Sequence, residues 1–160
     1  MRNVLPLAAM LLITFVTYDQ LQNQAAQEKP ATTASAQQQP TPKYDSSNPS
    51  SWPDSLDAVV AAPQNHKVVL ENERVRVLEV TVRPGEREPL HMHRMPSVMY
   101  VMAEDNIRDY DADGKLLYDS RTDKAPRKTP YTIWMEPQAP HVVENLSKKP
   151  LRLLRVELKQ

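Results

Sequence analysis

The sequence predicts an all-β domain that carries a histidine site, and three observations predict it. From about residue 56 onward, short β-branched segments follow one another with no long amphipathic helical period between them. Asp113-Gly114 falls between two such segments and is a strong hairpin signal. Three of the four histidines lie in two short segments about fifty residues apart, His91 with His93, and then His141.

The chain of 160 residues opens on Met1, Arg2 and Asn3, followed by an apolar run from Val4 to Val16. A positive residue before a short apolar stretch is the pattern of a secretory signal. The run is short for a full span, which needs about 20 residues. The nearest small-residue cleavage candidates, Ala25-Ala26 and Ala34 to Ala36, come late. Residues 1–17 are therefore expected to be a signal peptide or an uncleaved signal anchor. The protein is expected to be periplasmic or secreted, or tethered, touching a membrane only through this segment. Residues 18–54 are rich in Gln, Ala, Thr, Ser and Pro. Such a stretch buries too little apolar surface to offset its ordering entropy, so it is expected to be a disordered linker. Trp52 is its only large anchor.

The folded domain is assigned to residues 55–160. Lys67–Leu70 and Val75–Val82 are β-branched segments separated by the polar turn Glu71, Asn72, Glu73. Val98–Met102 is a continuous apolar run. Ile107–Tyr110 and Leu116–Tyr118 flank the Asp113-Gly114 turn. Tyr131–Met135, His141–Asn145 and Leu151–Leu158 complete the set. Segments this short, punctuated in this way, indicate a sandwich or barrel. Ser120–Pro130 reads as a basic, solvated loop.

Composition removes several function classes. There are no cysteines, which excludes disulfides, thiolate metal sites and a cysteine nucleophile. Formal net charge is zero, with a single Phe and scattered Lys and Arg, so no nucleic-acid surface is supported. Neither a phosphate-cradling glycine loop nor a Ser-His-Asp arrangement is present.

What remains is the histidines. Residues two apart on a strand point to one face, so His91 and His93 can aim at one point, and His141 can reach it from a neighbouring strand. Three convergent imidazoles with room for water describe an open metal site. Asn145 shares the face of His141, with Val143 between them. Ser97, Met99, Val143 and Asn145 are thus candidate pocket residues, while Glu144 is expected to point away. His66 lies outside both segments and is expected to be exposed to solvent. Met92, Met95, Met99, Met102 and Met135 cluster near the motifs. They read as flexible core filling, with soft ligation of cuprous copper as the sharper alternative. Trp134 is expected in the core.

These motifs resemble those of the cupin superfamily, a double-stranded β-helix or jelly roll. Gly85, His91 and His93 match the first cupin motif, but Ser97 stands where that motif has its Glu, and Glu104 where it closes on Gly. His141 and Asn145 match the second, in which Ala139 replaces a Gly and the spacing before His141 is one residue short. The resemblance covers roughly residues 60–160. It implies one divalent ion, Fe, Mn, Zn, Ni or Cu, held by His91, His93 and His141, with Ser97 outside the ligand set. It implies action on, or binding of, a small molecule, of dioxygenase or isomerase type. The alternative is a metal-free ligand-binding or sensor cupin. A homodimer is a further expectation of the family.

Overall fold

The structure is a computed structural model that describes residues 44–159. The expected signal segment and most of the expected linker lie outside the described residues. Among the described residues there are nine strands: β1 (His66–Glu71), β2 (Val75–Val82), β3 (His91–His93), β4 (Ser97–Ala103), β5 (Ile107–Asp111), β6 (Leu116–Asp119), β7 (Tyr131–Met135), β8 (Gln138–Asn145) and β9 (Leu151–Leu158). Every segment expected to be a strand is one, within two or three residues at its ends. The strands form a five-stranded sheet, β1-β2-β9-β4-β7, and a four-stranded sheet, β3-β8-β5-β6, with all of their strand pairs antiparallel. This is the jelly-roll arrangement the sequence predicts. The predicted hairpin joins β5 to β6, and Gly114 takes the positive φ of 80° that its turn requires.

Strict alternation builds the interior of the larger sheet in layers. Along β2, Arg76, Leu78, Val80 and Val82 are buried while their neighbours are only half-buried. On β9 the buried set is Leu151, Leu153, Arg155 and Glu157. Register sets Val82 against Leu151, Val80 against Leu153, Leu78 against Arg155 and Arg76 against Glu157. β4 adds Val101 to the Leu153 layer, Met99 to the Arg155 layer and Ser97 to the Glu157 layer. One end of the interior is thus an aliphatic core of Leu78, Val80, Val82, Val101, Leu151 and Leu153. The other end is a buried charge network. Truncating one of the core leucines to alanine costs about 2–5 kcal/mol in such a setting.

Two expectations about packing outside the histidine cluster fail in the described structure. Trp134 is 50% exposed rather than in the core. It sits on β7, the edge of the larger sheet, and alternation there turns Tyr131, Ile133 and Met135 inward and Trp134 outward. Its indole N–H is satisfied at the surface by Glu136 Oε1 at 2.7 Å.

Residues 44–54, given to the linker by their composition, are packed on the domain. Pro49–Ser51 form a 3-10 turn capped by the Asn48 side chain. Trp52 is buried, and its Nε1 donates to the Asp45 carbonyl at 2.8 Å. Arg94, directly after the His91–His93 strand, donates to the Pro49 and Trp52 carbonyls and to Asp54 Oδ1. One large aromatic and one arginine fork are enough to order a segment whose composition is otherwise polar. A short helix, α1 (Ala58–Ala61), follows, capped by Asp57, which accepts from Val59 N at 3.1 Å.

Candidate metal centre

β3 and β8 pair with His91 opposite His141 and His93 opposite Gln138. That register carries His141 to the two histidines of β3, as the sequence spacing suggested. The ring centroid of His141 is 4.5 Å from that of His91 and 5.8 Å from that of His93. His91 and His93 are 5.2 Å apart with their planes nearly perpendicular. All three are buried.

His66 corrects the sequence expectation. It is 4% exposed, not solvated, and its ring lies 4.6 Å from His91 and 5.2 Å from His93. It opens β1, where pairing with Val80 of β2 turns it inward. The three residues whose donor atoms all fall within 4.8 Å of one another are His66, His91 and His93. His141 joins them through its contact with His91. No spacing motif could reveal His66, because it stands alone in sequence and reaches the cluster only through the pairing of β1 with β2.

Each of the four rings is tied by the same atom. Nδ1 of His91 faces the Pro89 carbonyl at 2.9 Å, and Nδ1 of His141 faces the Ala139 carbonyl at 2.9 Å. His66 Nδ1 faces the Ala62 carbonyl at 3.3 Å, and His93 Nδ1 faces Glu157 Oε1 at 2.8 Å. Carbonyls and carboxylates only accept, so Nδ1 is the donor in all four. A neutral ring that donates through Nδ1 keeps a bare lone pair on Nε2. Burial enforces the neutral form. It brings His66 down to about 3 and His91 to about 4, and holds His93 and His141 well below the usual imidazole range. The donor set therefore fits a divalent ion: neutral imidazoles in one tautomer, each oriented by an outer partner.

Glu157 is the charged one of those outer partners, and it was not legible as a functional residue in the sequence. It is fully buried and also accepts from Arg76 Nε. Arg76 in turn forks onto both oxygens of Asp57 at 3.0 Å each. The cluster thus rests on a chain that runs from the half-buried Asp57 through the buried Arg76 and Glu157 to His93.

The histidines face a cavity of about 280 Å³. Met99 and Val143 line it, together with Glu88, Asp109, Gln138, Arg155 and aliphatic side chains of both sheets. Met135 lines it as well, whereas Met92 is buried and does not. Ser97 and Asn145, also candidate pocket residues, are not on its wall. Ser97 is fully buried in the layer of Glu157. Asn145 is spent on structure: its Nδ2 donates to the Val82 and Lys149 carbonyls, and its Oδ1 accepts from Ser147. Glu88 and Asp109 are carboxyls the sequence did not single out. Burial raises Glu88 to about 8 and Asp109 to about 7, and each keeps one buried oxygen with no partner. Glu88 Oε1 is 3.8 Å from His66 Nδ1, too long for a hydrogen bond, and burial disfavours the charged form of both groups.

No family model matches the chain, and no curated protein matches it. Solved structures do resemble it. A cupin domain from Bordetella pertussis Tohama I is 22% identical, with a TM-score of 0.49, over 59% of this chain and 92% of that one. An RmlC-like cupin family protein from Methanocaldococcus jannaschii is 12% identical, with a TM-score of 0.44, over 59% and 78%. The polyketide cyclase RemF from Streptomyces resistomycificus is 19% identical, with a TM-score of 0.42, over 59% and 64%. These are likenesses of strand arrangement, and the chemistry of the site rests on the histidines themselves. Two antiparallel sheets in the order β1-β2-β9-β4-β7 and β3-β8-β5-β6, with His91 set opposite His141 and His93 opposite Gln138, give this chain a jelly-roll fold of the double-stranded β-helix kind.

Proposed function

We propose that the protein holds one divalent metal ion on His66, His91, His93 and His141 and binds a small molecule beside it. The observation that carries this reading is the shared tautomer. Four buried imidazoles are held through Nδ1, which leaves Nε2 free on each; the donor atoms of His66, His91 and His93 lie within 4.8 Å of one another, and the His141 ring stands 4.5 Å from that of His91. An all-imidazole set suits zinc, copper, nickel and ferrous iron better than manganese. A bound ion of this kind supplies Lewis acidity, and for a redox metal dioxygen chemistry, to a small molecule. The chain's own part is to exclude water with the aliphatic wall, to orient the rings through Glu157 and the three carbonyls, and to offer Glu88 and Asp109 as acids or bases at neutral pH.

Metal analysis and cobalt titration of the purified full chain test this reading. The expected result is one equivalent of metal per chain and the absorption of cobalt held by imidazole nitrogens. Failure to take up any of the five candidate ions would overturn it and leave the metal-free ligand-binding cupin as the function.

We further propose that Met1–Val16 directs export, on the strength of the positively charged start and the apolar run. Residues 1–54 fused to a reporter that is active only outside the cytoplasm should confer activity. Activity confined to the cytosol would refute export.

A further inference from the structure

Arg155 is a buried charge with unused donors. It is 3% exposed and lines the cavity from β9. A guanidinium presents five N–H donors in a fixed fork. Here Nη1 donates to Gln138 Oε1 at 2.6 Å and touches the Met99 sulfur at 3.9 Å. Nε stands 3.8 Å from Glu157 Oε1, beyond hydrogen-bond length, and neither Nε nor Nη2 has a partner. Glu157 does not complete the fork: its near oxygen, Oε1, is 3.8 Å from Nε and is held by His93, while Oε2 is held by Arg76. Buried donors of a charged group left unpaired are costly, so an acceptor that fits the fork is strongly favoured there.

The charge count points the same way. Around the histidines, Arg76 and Arg155 balance Asp57 and Glu157. A divalent ion held there would add positive charge to a buried space in which Glu88 and Asp109 are the further carboxyls, and an anionic ligand would help to compensate it. The same wall carries an aliphatic patch of Val80, Val101, Ile107, Val143 and Leu153 beside polar residues that include Glu88 and Asp109.

We propose that the cavity's ligand is a small carboxylate with an apolar body, its carboxylate accepting from Nε and Nη2 of Arg155 and its body lying against the aliphatic wall. This deepens the metal reading by naming the substrate class of the same site. The Arg155 fork itself does not require the metal, so the two can fail separately.

The test uses three probes of one shape and different charge: benzoate, benzamide and benzylamine. Each is titrated by calorimetry into the full chain, metal-free and cobalt-loaded. Benzoate should bind about tenfold or more tightly than benzamide in both forms, the difference expected of a charge-assisted hydrogen bond. Arg155→Met should abolish that preference, and Arg155→Lys, which keeps the charge and loses the fork, should retain only part of it. In wild-type protein, where no variant has to fold, the Arg155 Nε–H resonance should move on adding benzoate and stay in place on adding benzamide. Equal binding of acid and amide, a preference for benzylamine (drawn by Glu88 and Asp109), or an unmoved Nε–H resonance would overturn the proposal. A benzoate preference that appears only with cobalt and survives Arg155→Met would assign the carboxylate to the metal and overturn the role of Arg155. A benzoate preference in protein that takes up no metal would sink the metal reading and leave this one standing.

Discussion

His93 Nδ1 donates to Glu157 Oε1 across 2.8 Å, and both side chains are buried away from solvent. One carboxylate thus orients a candidate ligand and neutralises Arg76. The two roles can be separated by substitution. Glu157→Gln keeps the shape and one acceptor but removes the charge, so metal affinity should fall by about 10–100-fold. Glu157→Ala also takes the buried carboxylate from Arg76, which keeps only Asp57, and should cost about 3–5 kcal/mol of stability. Cobalt titration and urea unfolding measure the two effects. Unchanged cobalt affinity in a folded Glu157→Gln protein would show that His93 needs no such partner.

His66 should behave as a ligand although it belongs to neither histidine segment. Alanine at His66, His91, His93 or His141 should each weaken cobalt binding by about tenfold or more. If His66→Ala takes up cobalt like wild type, the centre reduces to the three histidines that the motifs single out.

Ser97 occupies the place where the cupin pattern has a glutamate, but it lies in the layer of Glu157 and off the cavity wall. Ser97→Glu should therefore not supply a ligand. It would set a second carboxylate beside Glu157 at a position with no exposure, and stability should drop by about 3 kcal/mol or more. Tighter manganese binding by a stable Ser97→Glu protein would contradict this placement.

Stability without added metal should peak near neutral pH. Burial holds His66 at about 3 and His91 at about 4, with His93 and His141 also well below 6.5. As pH falls from 6.5 toward those values, the unfolded chain binds protons that the folded one refuses, so stability drops. Glu88, raised to about 8, and Asp109, raised to about 7, act in the opposite sense. As pH rises from their unfolded values of 4.5 and 3.8, the unfolded chain releases protons that the fold retains, and stability is lost up to about pH 8. Four imidazoles outweigh two carboxyls on the acid side, which places the maximum at about pH 6.5. Urea midpoints across the pH range should trace this curve, and Glu88→Gln should flatten its alkaline limb. A midpoint still climbing at pH 8 would refute the assignment.

Trp52 should matter to folding despite its place in a polar stretch. Trp52→Ala should cost about 3–5 kcal/mol, and a fragment beginning at residue 55 should melt below one beginning at residue 44. Equal melting of the two fragments would restore the boundary read from composition.

Much of the fold was legible in the sequence because strand burial has a period of two residues. That period marked β2 and β9 to the residue, and Asp113-Gly114 marked the β5–β6 hairpin. The pair His91 and His93 was legible for the same reason. Trp134 was misread because periodicity assigns faces but does not say which strand is an edge.

The sequence by itself determined the all-β class, the succession of the strands along the chain, the absence of thiol chemistry and the shared strand of His91 and His93. Only the tertiary structure decided who else stands beside them. His66, Glu88, Arg155 and Glu157 carry no local signature, since each is a lone polar residue in or beside an ordinary strand. They meet because β1 pairs with β2, β2 with β9, and the second sheet closes over their inward faces. Contacts between residues 60 to 90 positions apart are set by register and closure. A period of two along one strand fixes which face a side chain takes and leaves open what it will find there.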